Sequence, residues 1–130
     1  MAFAKMETAA AGGGALVKEG TFTWSGTSDI SVSDVGFKPK KLILFTDPSE
    51  TSQTLTNGKY RVILYDEDVY PNYALECDAG SNAGSDYLGY KPVPNTSSQY
   101  NHLKTIDNNG FTVTGGNNVW TKSWHYIAIG

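Results

Sequence analysis

Apolar and polar residues alternate along this chain with a period of two. Thr21 to Trp24 alternates hydroxyl and aromatic side chains, and Ile30 to Val32 alternates again. That period is the signature of a strand with one face toward a core. Lys41 to Thr46 and Tyr60 to Tyr65 contain nearly continuous apolar runs. Such runs predict interior strands covered on both faces. Further strands are predicted at Tyr73 to Cys77, Tyr87 to Tyr90, Tyr100 to Ile106 and Phe111 to Thr114, then at Val119 to Trp120 leading into the closing segment Ser123 to Gly130. Turn chemistry separates them, at Ser25-Gly26, Asp47-Pro48-Ser49-Glu50, Asn57-Gly58, Asp107-Asn108-Asn109-Gly110 and Gly115-Gly116-Asn117-Asn118. Roughly seven to nine short strands at intervals near ten residues, with no amphipathic helix between them, predict an all-β antiparallel sandwich or jelly roll.

The closing strand is the least usual. Alternation puts Trp124, Tyr126 and Ala128 on one face and His125, Ile127 and Ile129 on the other. Neither face is polar, whereas a surface strand of a monomeric sandwich shows one polar face to water. A neighbouring protomer is the expected second cover. Trp124, Tyr126, Ile127 and Ile129 are therefore the expected oligomer interface.

Upstream, residues 1–19 are compositionally distinct: Ala-rich, then Gly12-Gly13-Gly14. The glycines end any helix and act as a flexible joint. Residues 1–19 are read as a flexible arm, either a frayed terminus or an anchor that docks to another protein, and 20–130 as the β-sandwich domain. Lys5 and Glu7 interrupt the opening residues, which do not read as a secretory signal. No apolar run approaches the ~20 residues that span a bilayer. Synthesis in a cytoplasm without membrane insertion is expected.

Composition narrows the function. The 130 residues carry a formal charge of −3, so nucleic acid is not an expected partner. Lys38, Lys40 and Lys41 bunch around Pro39 at a strand entry and read as solvated charge. Cys77 is the one cysteine, which excludes an intrachain disulfide. Glu76 and Asp78 beside it disfavour a thiolate, so it reads as a small strand-end hydrophobe. Asp66-Glu67-Asp68 is the densest carboxylate cluster, yet neighbours on a strand point to opposite faces and no EF-hand pattern surrounds it. His102 and His125 show no zinc spacing. There is no Gly-x-Ser-x-Gly elbow and no phosphate-cradling loop. The expectation is a non-enzymatic protein with no metal and no cofactor. Tyr65, Tyr70, Tyr73, Tyr87, Tyr90 and Tyr100 sit in or beside polar loops, where aromatic faces can stack on sugar rings or simply cap a core.

Three segments carry a resemblance. Val35 to Phe45 resembles the Gly-Phe-x-Pro apolar strand of small phage virion domains, Asn109 to Thr114 their Gly-Phe-x-Val strand, and Trp124 to Gly130 their closing strand. The same order is similar to the H-type lectins, six-stranded sandwiches that trimerise and bind N-acetylgalactosamine-type sugars between protomers. The resemblance implies a homotrimeric virion protein, a fibre tip of tail or head or a capsid decoration protein, attached to a virion structural protein through residues 1–19. A carbohydrate-binding lectin module is the alternative, with a cell-surface glycan as partner. In either case Trp124, His125 and Tyr126 are the positions nearest the lectin-like cleft. The stretch from Asp66 to Gln99 has no counterpart in that pattern.

Overall fold

The computed structural model describes residues 16–24, 28–47, 60–79, 87–97, 101–115 and 122–130. Among these, nine strands and no helix form: β1 (Val17–Trp24), β2 (Ile30–Val32), β3 (Lys41–Thr46), β4 (Tyr60–Asp66), β5 (Tyr73–Ala79), β6 (Tyr87–Pro92), β7 (Leu103–Asp107), β8 (Gly110–Val113) and β9 (Lys122–Ile129). Six strands build one antiparallel sheet in the order β1-β9-β3-β4-β5-β6, and three build a second, β2-β8-β7. Residues 1–15, the Asn57-Gly58 turn and the short strand expected at Val119 to Trp120 lie outside the described residues.

The expected strands form with small shifts in their ends. The largest is at the start, where β1 begins at Val17, inside the expected arm. Val17, Lys18 and Glu19 pair with Ile129, Ala128 and Ile127. The Gly130 N–H donates to the Leu16 carbonyl at 2.9 Å. The last residues of the segment read as an arm thus belong to the sheet. β3 and β4 are central, as their apolar runs require. Only one of their faces is closed, however: Leu42, Leu44, Ile63 and Tyr65 are buried, while Ile43, Phe45 and Val62 on the other face are half-buried.

The two sheets share one core. Trp24 and Trp124 meet at 4.8 Å between ring centroids. Phe22 of the large sheet reaches Phe111 of the small one at 5.6 Å, and Phe111 reaches Tyr126 at 5.4 Å, both edge-on. Edge-on pairing suits ring quadrupoles and adds about 0.5–1.5 kcal/mol per pair beyond area burial. The Trp24 indole N–H donates to the Thr114 carbonyl at 2.7 Å, tying β1 to the end of β8. Two glycines make the close approaches possible. Gly20 faces Tyr126 across the β1–β9 pair, and a Cβ there would stand 2.7 Å from the phenol oxygen. At Gly110, φ is +159° and a Cβ would fall 1.8 Å from the Val32 carbonyl oxygen.

Gly110→Ala is expected to force β2 from β8 and to lower the unfolding free energy by about 1–3 kcal/mol, the usual cost of overpacking. Thr23→Ala, at an exposed position of β1, is expected to stay within about 0.5 kcal/mol. Urea denaturation of the two variants beside the wild type measures both.

Candidate interaction surface

β9 lies between β1 and β3, and residues paired across strands share a face. Its inner face is closed by the chain's own second sheet: Trp124 is 1% exposed, Tyr126 3% and Ala128 0%. Trp124 and Tyr126, expected at a ligand cleft and an oligomer interface, are instead core residues, because β2, β8 and β7 already supply the cover that the pattern demanded. Burial, with the charge of Asp34 adding to it, raises the Tyr126 phenol above its ordinary range. His125, Ile127 and Ile129 stand on the outer face and are half-buried.

That outer face is apolar across the sheet. Ile127, Ile43, Leu64, Leu75 and Tyr90 stand side by side in register on β9, β3, β4, β5 and β6. A second row runs His125, Phe45, Val62, Cys77 and Leu88 over the same strands. Five strands at a spacing of about 4.8 Å make a band roughly 19 Å wide. Apart from Leu16, all the large apolar side chains that remain exposed among the described residues lie on β4 to β6 or in the turn between β4 and β5, Leu88 reaching 70%. Ion pairs bound the band at both ends of β3. Lys41 Nζ donates to both Asp66 oxygens at 2.8 and 2.9 Å, which holds that carboxyl below its usual range. At the other end His125 Nε2 lies 2.7 Å from Asp47 Oδ2.

The outer face of the small sheet is the opposite in character. Ser31 and Thr112 share a hydroxyl contact at 2.9 Å, and both Thr112 and Thr105 donate to Asp107, at 2.6 and 2.8 Å. This face is built for water, and the band on the large sheet is not.

The tyrosines separate into two kinds. Tyr65 is a core residue whose hydroxyl donates to the Pro71 carbonyl at 3.2 Å. Tyr70, Tyr73 and Tyr90 are about half exposed and form one cluster, Tyr70 lying 6.4 Å from Tyr73 and 5.0 Å from Tyr90 between centroids. The Tyr87 side chain and Tyr100 fall outside what is described. Asp66 and Asp68 are paired with Lys41, and no group of three metal-ligating side chains occurs among the described residues. Cys77 is half-buried in the second apolar row.

One constellation was not anticipated. Glu76, 0% exposed, lies between Arg61 Nη2 at 3.1 Å and His102 Nδ1, which stands 2.8 and 3.0 Å from the two carboxylate oxygens. The sequence held a signal for it. Arg61 and Glu76 occupy the same phase as the core residues Ile63 and Ala74 on their strands, so each had to face inward. The cluster links β4 and β5 of the large sheet to the residue before β7.

Glu76→Gln is expected to cost about 3–5 kcal/mol in urea denaturation, since it strands a buried guanidinium. Alkali tests the inner face. Burial also raises the Tyr65 phenol, helped by Glu67 and Asp66. A phenol whose folded-state pKa is raised keeps its contribution below the unfolded value, about 10, and loses it as the pH climbs through the folded one. Stability is therefore expected to fall above about pH 10, and Tyr126→Phe to flatten that limb in melts recorded against pH.

No family model matches the chain, and no curated protein or solved structure matches it either.

Proposed function

We propose that this chain is a non-enzymatic, oligomeric surface protein of the phage virion type, a fibre tip or a capsid decoration protein that works by display and attachment. The observation that carries the reading is the apolar band on the outer face of the large sheet. Contiguous exposed apolar patches on soluble proteins mark contact surfaces, and Tyr-rich patches are favoured in them. In this reading, copies of the chain cover one another's band, with Ile127, Ile129, Leu64, Leu88 and Tyr90 in or beside the contact. The resemblance to H-type lectins favours a trimer of jelly-roll or lectin-like sandwiches. The segment before Val17 serves as the attachment arm.

A second reading, a carbohydrate-binding module, draws on the Tyr70, Tyr73 and Tyr90 cluster, whose half-exposed rings offer stacking faces at the edge strand β6. It moves the candidate sugar contacts away from Trp124 and Tyr126.

Light scattering on the full chain is expected to give the mass of a trimer. Leu88→Asp combined with Tyr90→Ser should give a monomer with an unchanged far-ultraviolet spectrum. A wild type that stays monomeric at micromolar concentration would overturn the assembly reading. Glycan binding that vanishes in Tyr70→Ala while the trimer persists would favour the second.

A further inference from the structure

A cavity of about 230 Å³ is lined from both sheets where the end of β4 meets β7. Tyr65 contributes from the large sheet, and Thr105 and Ile106 from the small one. Pro71, in the turn between β4 and β5, closes one side, and Val93 and Pro94, which follow β6, close another. Hydrogen bonds tie this wall down. The Tyr65 hydroxyl donates to the Pro71 carbonyl, the Val93 N–H to the Asn72 carbonyl at 2.8 Å, and the Asn95 N–H to the Lys104 carbonyl at 2.9 Å. A cavity braced in this way is preformed, so a ligand need not order it.

The polar groups of the cavity restrict what it can hold. Thr105 gives its hydroxyl proton to Asp107 and Tyr65 gives its own to Pro71. Each oxygen therefore offers only lone pairs to anything else. Lys38 is opposite in kind, with three N–H donors, a positive charge and no acceptor. Lys41 is paired with Asp66 and Asp68, and Lys104 with Asp29, whereas no ion pair engages Lys38 among the described residues. Asp66 and Glu67 place negative charge beside the Tyr65 phenol, so an anionic group in a ligand is turned away from that side and toward Lys38. A complementary ligand has hydroxyl donors for two oxygens, a ring face for the prolines and Ile106, and one anionic group. The volume is below the ~300–1,000 Å³ of drug-sized sites, which limits the occupant to a single ring. We propose that this cavity binds a small polyhydroxylated carboxylate of the sugar-acid class, its carboxylate on Lys38 and its hydroxyls on Tyr65 and Thr105. None of these residues belongs to the apolar band or to the exposed tyrosine cluster, so the site does not depend on either reading above.

Amide NMR titration of the full chain with glucuronate at low ionic strength tests the inference, with glucose as the uncharged counterpart. Glucuronate is expected to bind with a Kd of about 1 mM, the range for a ligand of its size, and to shift the amides of Lys38, Thr105 and Ile106. Glucose should bind several-fold more weakly. Lys38→Met, at an exposed position, should leave the fold intact and abolish the preference for glucuronate, a loss of up to about fivefold for a partly exposed ion pair. Lys38→Arg should restore it. An absence of shifts with glucuronate, shifts confined to other residues, or equal binding of glucose overturns the inference. So does a preference for glucuronate that survives in Lys38→Met.

Discussion

The register of β9 is the constraint on which the rest of the molecule depends. A slip of one residue exchanges the whole inner set of a strand for its outer set. In most strands the hydrophobic pattern forbids that exchange, because it would bury polar groups. Here both sets are apolar, so pattern alone distinguishes them weakly. Shape and hydrogen bonding decide instead. The Tyr126 ring fits over Gly20, where any Cβ would collide with it. His125 is claimed from the outer side by Phe45 and Asp47. The backbone adds bonds at both ends of β3, from Asp47 N–H to the Ser123 carbonyl at 2.9 Å and from Lys40 N–H to the Ile129 carbonyl at 2.8 Å. With β9 set in this way, Trp124 falls against Trp24 and the small sheet has a matching surface.

The buried charges impose a second, directional constraint. An apolar interior lets two sheets slide over one another at little cost. A carboxylate held by both Arg61 and His102 does not, because any displacement leaves a charge without its partner in a medium that solvates it poorly. The cluster is incompletely satisfied: Arg61 Nε is buried without an acceptor among the described residues. That makes it a poor source of net stability, and its effect is chiefly to fix how β7 and β8 sit on β4 and β5.

Periodicity exposed the strands well, since a period of two survives any uncertainty about tertiary contacts. Direction was harder to read. Nothing in Trp124 to Ile129 says which apolar face meets the chain's own second sheet, because that depends on β2, β8 and β7 folding across it. The larger, aromatic set went inward, where ring-on-ring contacts with Phe22, Trp24 and Phe111 are available. The aliphatic set went outward. The Arg61 and Glu76 pair was written in the phase of β4 and β5, but a charge in an apolar run reads equally well as a residue facing water until its partners are placed. The start of β1 was hidden for a compositional reason: Val17 follows closely on the triple glycine, and the alternation of Lys18, Glu19 and Gly20 is too polar to resemble an edge strand paired with β9.

The two outer faces limit what the molecule can do. Hydroxyls and a carboxylate on the small sheet bond to one another and leave their remaining valences to water. On the large sheet, two apolar rows cross five strands with no polar residue between His125 and Leu88 or between Ile127 and Tyr90. Sheets that face solvent do not sustain such rows, because alternation would cost the core nothing there. The inner face was free to be apolar whatever the outer positions were, so the outer residues answer to a different requirement. Exposure along the band is greatest on β6, where Leu88 and Tyr90 project at the sheet edge. A cover that satisfied only the closing strand would leave that edge wet. The apolar surface that the sequence pattern first suggested at β9 is therefore centred on β4, β5 and β6, with β9 at its margin and the His125–Asp47 pair on its rim.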